Sequence, residues 1–437
     1  MHSPAQVTLL AVGNLDQSRA GSFADLSGLT YKLENGAPAN LLRGLGSGLA
    51  YASGNTFLGL PDRGPNAVSF DSAIDDTVSY VNRFHTITMD LDPNTTGTGL
   101  PFTLTPHLRA TTLLWSFTAL VYGTGSGLGV GSGVPPINNF LVHFFTGRSD
   151  NFDPNHNSGF PGDARFDSEG IRVSNNGLSV FISDEYGPYV YEFSRITGAR
   201  IRSFQLPTSF YVPNKRPVGA DEIKDNTIGR TANKGMEGLA ITPDGRTLVG
   251  IMQNALIQDA NDAPKLDRIV TIDIASGHTR EYAYLLTTGT GVSEIVALND
   301  HEFLVDERDG KGRGDGSKAK VKQLFKIDLA GAVDVSSMDG ASAATYAVSK
   351  TLFLDIVAVL SKNGMTAAEI PAKIEGVAFG PDVKNEDITL HTLWIANDND
   401  FLPMVADPDG NQIPNSNQFF VFGFNDDDLK GSTFVPQ

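Results

Sequence analysis

The chain has 437 residues, 40% of them hydrophobic, with no cysteine and a net charge of −17. That acidity sets it against nucleic acid or an anionic membrane as a main partner. The missing cysteines exclude disulfides, thiolate metal sites and cysteine nucleophiles. No apolar run approaches the roughly 18 residues of a transmembrane helix. Gly (46) and Pro (23) are plentiful and charged residues make up only 19%, a mix that suits many short strands and turns. The opening Met1, His2, Ser3 and Pro4 lack a leader pattern. The expectation is a mature exported chain, periplasmic or secreted, with its leader removed.

In chain order, residues 7–13 read as a strand. Ser47-Gly48 then opens an apolar run, followed by a turn at Ser53-Gly54-Asn55, a second run over 56–60, and Pro61-Asp62-Arg63-Gly64. Residues 80–92 alternate as a strand. Residues 111–122 form an apolar run containing Trp115. Residues 123–136 form a glycine loop without the spacing of a phosphate cradle, and it reads as a surface loop. Residues 140–148 read as a strand.

Residues 165–191 give the pattern in full. Glu169-Gly170 leads an alternating strand, Asn175-Asn176-Gly177 makes a turn, and a second run ends at Asp184-Glu185. Further copies follow at Glu237-Gly238, at Ser293-Glu294 with Asp306-Glu307-Arg308, and at Glu375-Gly376 with Asn397-Asp398. Residues 351–362 fit a strand or a short helix equally. Residues 418–424 form a closing strand.

The copies start near 47, 169, 237, 294 and 375. Recurrence of one strand–turn–strand unit predicts an all-β fold, a single β-propeller domain over 1–437 with long inter-blade loops. The gap between 47 and 169 has room for a hidden copy, so six blades are expected. The closing strand is expected to complete the first blade with the N-terminal segment and fasten the ring.

In a propeller the first strand of each blade lines the central channel. The repeat therefore predicts one tier of Glu169, Glu237, Glu294 and Glu375, and a second of Asp62, Asp184, Asp306 and Asp398. Converging carboxylates repel one another at low dielectric. Two readings of them stay open: ligands of hard cations, with Ca²⁺ favoured by an all-oxygen donor set, or bonds to the amides of neighbouring blades. The predicted metal ligands are Glu169, Glu237, Glu294, Glu375, Asp306 and Asp398. Arg63 and Arg308 directly follow acids and are suited to gripping an anion, with Asp184 or Glu185 as base or further ligand. Asp62, Glu307 and Lys234 are candidate substrate-binding groups. The motifs GxSxG and HExxH are absent, and Asp153-x-Asn155-x-Asn157 lacks the rest of a calcium loop.

The motifs DSEGI…FISDEYGPYVYEF, KGMEGLAITPDGRTLVGIMQ, SEIVALNDHEFLVDERDG and KIEGVAFGP…LWIANDNDF resemble the bacterial phytase-like family, "esterase-like activity of phytase". PDRG at residues 61–64 resembles its SDRG motif, with Pro61 in the place of serine; the glycine loop 123–133 is a second departure. The resemblance covers roughly residues 25–425. It implies an exported propeller and a hydrolase of phosphate esters. The Glu-Gly and following Asp are also similar to senescence-marker-type lactonases, whose channel holds a catalytic Ca²⁺. The expected function is therefore calcium-dependent hydrolysis of a small anionic phosphate ester by a monomer. A calcium-dependent lactonase and a non-enzymatic calcium-stabilised propeller are the alternatives.

Overall fold

The structure, a computed structural model, describes residues 7–15, 23–123 and 127–437. Residues 1–4 and part of the glycine loop lie outside them. Twenty strands form five four-stranded antiparallel sheets, the blades of a propeller. Blade 1 runs Gly48–Ser53, Thr56–Leu60, Arg83–Pro93 and Phe102–Leu113 from the axis outward. Blade 2 is Ser168–Val173, Ser179–Asp184, Tyr189–Ser194 and Arg200–Gln205. Blade 3 is Met236–Ile241, Thr247–Met252, Leu266–Asp273 and Thr279–Leu285. Blade 4 is Gly291–Ala297, Glu302–Arg308, Lys322–Asp328 and Lys350–Asp355.

Blade 5 takes Lys373–Asn385, Ile388–Asp398 and Gln418–Phe424 from the C-terminal half of the chain. Its outermost strand is the N-terminal Thr8–Asn14, antiparallel to Gln418–Phe424. The two ends of the chain thus pair as expected, but they complete the last blade rather than the first. The innermost strands stand side by side in a closed ring, blade 1 next to blades 2 and 5, and so round through blades 3 and 4.

The count is five blades, not six. The long gap between the first two copies holds no hidden blade. Its length goes into outer strands of 11 and 12 residues in blade 1. The remainder, residues 61–82 and the described residues of 114–167, is mostly loop, with one two-residue ladder between Trp115–Ser116 and His143–Phe144. The ambiguous stretch near 351–362 is both things in turn. Strand Lys350–Asp355 ends where the Asp355 carboxylate caps helix Ile356–Lys362 by accepting from the Ala358 amide.

Apolar layers fill the wedges between blades, such as Ile171, Val180 and Ile182 of blade 2 against Leu239, Ile241 and Leu248 of blade 3. Towards the axis the wedges narrow, and there the glycine of each Glu-Gly pair becomes necessary. A Cβ on Gly170 would lie 2.7 Å from both the amide nitrogen and the Cβ of Leu239 in the next blade. A Cβ on Gly238 would lie 2.8 Å from the Glu294 backbone. Gly170→Ala is therefore expected to destabilise the ring by about 2 kcal/mol, the usual scale of overpacking. A lower denaturation midpoint with an unchanged slope would register it.

Candidate functional site

Inner strands need a device to turn a side chain from the blade wedge into the channel, and here it is a β-bulge. The inner hairpin shifts register between Met236 and Gly238 in blade 3, between Val292 and Glu294 in blade 4 and between Ile374 and Gly376 in blade 5. In blade 2 the shift spans Glu169 and Gly170. The ladder of blade 1 begins at Gly48, leaving Ser47 at the matching place. The bulged residues are thus Glu169, Glu237, Ser293 and Glu375, and Ser47 holds the matching place in blade 1 just before its ladder.

This phasing revises the first predicted tier. Glu294 sits one residue beyond the bulge, where the other blades have glycine, and a one-residue slip sends a side chain to the other face. Its carboxylate accepts the amides of Leu239 at 2.9 Å and Ile295 at 3.0 Å and pairs with Arg172 at 3.0 Å. It bonds to the neighbouring blade rather than facing the channel mouth. The bulge position of blade 4 belongs to Ser293, whose hydroxyl accepts from Arg308 Nε.

The second tier shifts in the same way. Ser168 faces Asp184, Met236 faces Met252, Val292 faces Glu307 and Ile374 faces Asn397 across the hairpins. One residue further on stand Glu185, Gln253, Arg308 and Asp398, which with Asp62 of blade 1 line the mouth. Asp184 lies one short. It accepts the amides of Asp167, Tyr186 and Gly187 and so closes the turn. Asp306 lies two short and is fully buried, with neither oxygen partnered. Glu307 points away from the axis. It accepts from the Tyr284 hydroxyl, Lys350 and the amides of Thr287, Thr288 and Gly289. Burial works to raise it, but these partners outweigh burial and hold it down at about 2.

The two tiers enclose a cavity of about 330 Å³. Seven carboxylates line it (Asp62, Glu169, Glu185, Glu237, Glu375, Asp398 and Asp400) against three cations, Arg63, Arg308 and Lys373. Lys373 bridges Asp398, at 2.9 Å, and Asp400. Arg308 pairs with Glu375. Arg63 pairs with Asp167 at 2.9 Å. Asp167, Glu169 and Glu185 are all buried, and one oxygen from each lies within 4.8 Å of the others.

The acids at the mouth are strained electrostatically. Burial, followed by the charges of Glu237, Asp167, Glu185 and Asp62, raises Glu169 well above the usual carboxylate range. Burial and then Asp167 push Glu185 up to about 7. Burial together with Glu185 and Glu375 raises Glu237. Burial together with Asp398 raises Asp62.

Of the residues singled out from sequence, Arg63, Asp62, Glu169, Glu185, Glu237, Glu375, Arg308 and Asp398 meet at this cavity. Lys234 lines a side pocket that adjoins it. Asp184, Glu294, Asp306 and Glu307 do not line it. Asp167, Gln253, Ser293, Lys373 and Asp400 went unsingled. Two of them carried a signal: Asp167 and Lys373 lie two residues before Glu169 and Glu375, the period that puts residues on one face of a strand. No helix among the described residues is long and apolar enough to cross a membrane.

A secreted protein of Arthroderma benhamiae, itself titled uncharacterized, is 35% identical over 178 residues, which is 33% of this chain and 34% of that one. The match thus spans about a third of that relative's length. The fold superposes loosely on the periplasmic gluconolactonase of Pseudomonas aeruginosa, with a TM-score of 0.32 at 14% identity over 95% of this chain and 99% of that one. Hydrazine synthase of Kuenenia stuttgartiensis gives 0.33 at 11% identity over 85% and 80%. At such scores neither likeness says anything about chemistry. The family described as "Esterase-like activity of phytase" matches residues 40–401, a span that holds the inner hairpins of all five blades, and the chain belongs to this phytase-like family.

Proposed function

We propose that this protein hydrolyses phosphate esters at the channel mouth, with a calcium ion held by Asp167, Glu169 and Glu185. The observation that carries the reading is the convergence of these three buried carboxylates within 4.8 Å. The donor set fits a hard cation, because every ligand atom is a carboxylate oxygen. A flexible ring of oxygens suits Ca²⁺ better than the strict octahedron of Mg²⁺. A cation there would offset the burial, and relieve the repulsion, that together raise Glu169 and Glu185. Bound calcium would supply a Lewis acid for phosphoryl oxygens and acidify a water.

The chain's own part is to bind and orient the ester. Arg63 stands beside the cluster through Asp167 and lines the cavity. Its guanidinium supplies a positive group for a phosphoryl oxygen. Arg308, held by Ser293 and Glu375, offers a second positive group across the cavity. Export from the cytoplasm belongs to the same reading and is supported by the secreted relative.

Exhaustive chelation is expected to abolish hydrolysis of an aryl phosphate, and added Ca²⁺ to restore it. Hydrolysis that persists without divalent cations would overturn the metal assignment. Turnover of lactones but of no phosphate ester would move the protein to the lactonase reading. Turnover of neither, with a melting temperature that still rises with Ca²⁺, would leave a non-enzymatic propeller.

A further inference from the structure

Beside the main cavity lies a smaller one of about 210 Å³, in the seam between blades 3 and 4. Gln253 and Arg308 line both, so the two spaces adjoin. The side pocket is finished by Lys234, Thr290, Gly291, Val292 and Gly310. No carboxylate lines it, in contrast to the seven of the main cavity. That is unexpected in a chain of net charge −17.

Lys234 differs from the other cations of this face. Arg63, Arg308 and Lys373 are each ion-paired. Among the described residues Lys234 makes no ion pair, and its ammonium reaches only Gln253 Oε1 at 3.4 Å. The buried Asp267 carboxylate feels its charge but makes no ion pair with it and lines neither cavity, so the ammonium, in a pocket without a lining acid next to a site for an anionic ester, is placed to receive a second anion.

We infer that this seam is a specificity subsite for the alcohol portion of the substrate, and that Lys234 selects esters whose leaving group carries its own negative charge. The inference rests on the phosphate-ester reading above. The pocket has room for a carboxylate or comparable anion with a few attached atoms. The Thr290 hydroxyl and Gln253 amide lie within the same wall and supply neutral polar groups for its remaining oxygens.

The experiment compares phenyl phosphate with 4-carboxyphenyl phosphate on the calcium-loaded full chain. The wild type is expected to favour the carboxy ester by about tenfold in kcat/KM, the scale of one hydrogen bond to a charged group. In Lys234→Met the ratio is expected to fall towards one, through KM, with an unchanged melting temperature. A wild type without preference, or a variant that keeps the preference, would overturn the inference. Calorimetric titration with benzylphosphonate and 4-carboxybenzylphosphonate reads the same subsite without turnover. If neither ester is hydrolysed but the carboxylated phosphonate binds more tightly, and only while Lys234 is present, the subsite stands and the hydrolytic reading falls. If the two phosphonates bind alike, the subsite falls.

Discussion

Replacing Arg172 by methionine is expected to lower the unfolding free energy by about 3–5 kcal/mol, the cost of breaking a buried ion pair from one side. The guanidinium crosses the channel axis. It donates to the carbonyls of Leu49 at 2.8 Å, Ile295 at 3.0 Å and Val377 at 3.2 Å, and to that of its own neighbour Ile171 at 2.5 Å. Those carbonyls belong to blades 1, 4, 5 and 2. Its partner Glu294 accepts the Leu239 amide of blade 3. One ion pair therefore touches the inner strand of every blade. Methionine fills similar space but supplies no donor, so several carbonyls and a buried carboxylate lose their partner together.

Glu294 gains little from ionising even now: burial pushes it up to about 7 although Arg172 opposes the shift. The double variant Arg172→Met, Glu294→Gln removes the orphaned charge. It is expected to be more stable than Arg172→Met alone, with a coupling of about 1–3 kcal/mol. Denaturant titrations of the four proteins measure this cycle. A single variant within about 1 kcal/mol of the wild type would refute the axial role, since a surface substitution does no more.

What could be read from sequence followed from what the blades have in common. Glu169-Gly170, Glu237-Gly238 and Glu375-Gly376 recur because one bulge must aim an acid into the channel while the next residue meets a neighbouring backbone. That double constraint leaves a two-letter trace, and it gave the propeller and most of the mouth. The bulge itself leaves no letter. Ser293-Glu294 therefore aligned on its glutamate instead of on the apolar residues after it, and Glu294 joined a tier that it does not occupy. Asp184 and Asp306 entered the second tier because spacing was counted from the acids, whereas register is set by hairpin pairing. Blade number was hidden for another reason. Strand length is set by what each outer strand covers, so dividing a long gap into equal repeats produced a sixth blade where blade 1 has only longer strands and a loop. Asp167 is at the site through an ion pair with Arg63, more than a hundred residues away, and no local pattern encodes that partnership.

Asp306 supplies the other large effect, a dependence of stability on pH. Both of its oxygens are fully buried without a partner, on the strand facing Glu294 and Leu324. Burial pushes it from 3.8 up to about 8, although the charges of Arg308 and Lys322 oppose the shift; Glu294 and Glu375 add to it. In the unfolded chain it titrates near its ordinary value. Between about pH 4 and pH 8 the folded state therefore holds a proton that the unfolded state has lost, and stability falls as pH rises, by about 1.4 kcal/mol per unit at most. Asparagine has the shape of the protonated acid and cannot ionise. Asp306→Asn is thus expected to match the wild type near pH 4 and to exceed it by about 3–5 kcal/mol at pH 8. Asp184, pushed by burial up to about 7, adds a similar slope to both proteins and cancels in the difference. Unfolding free energies of the pair measured across this range decide the matter: a constant difference would mean that Asp306 is already ionised in the folded ring, held so by the charges of Arg308 and Lys322.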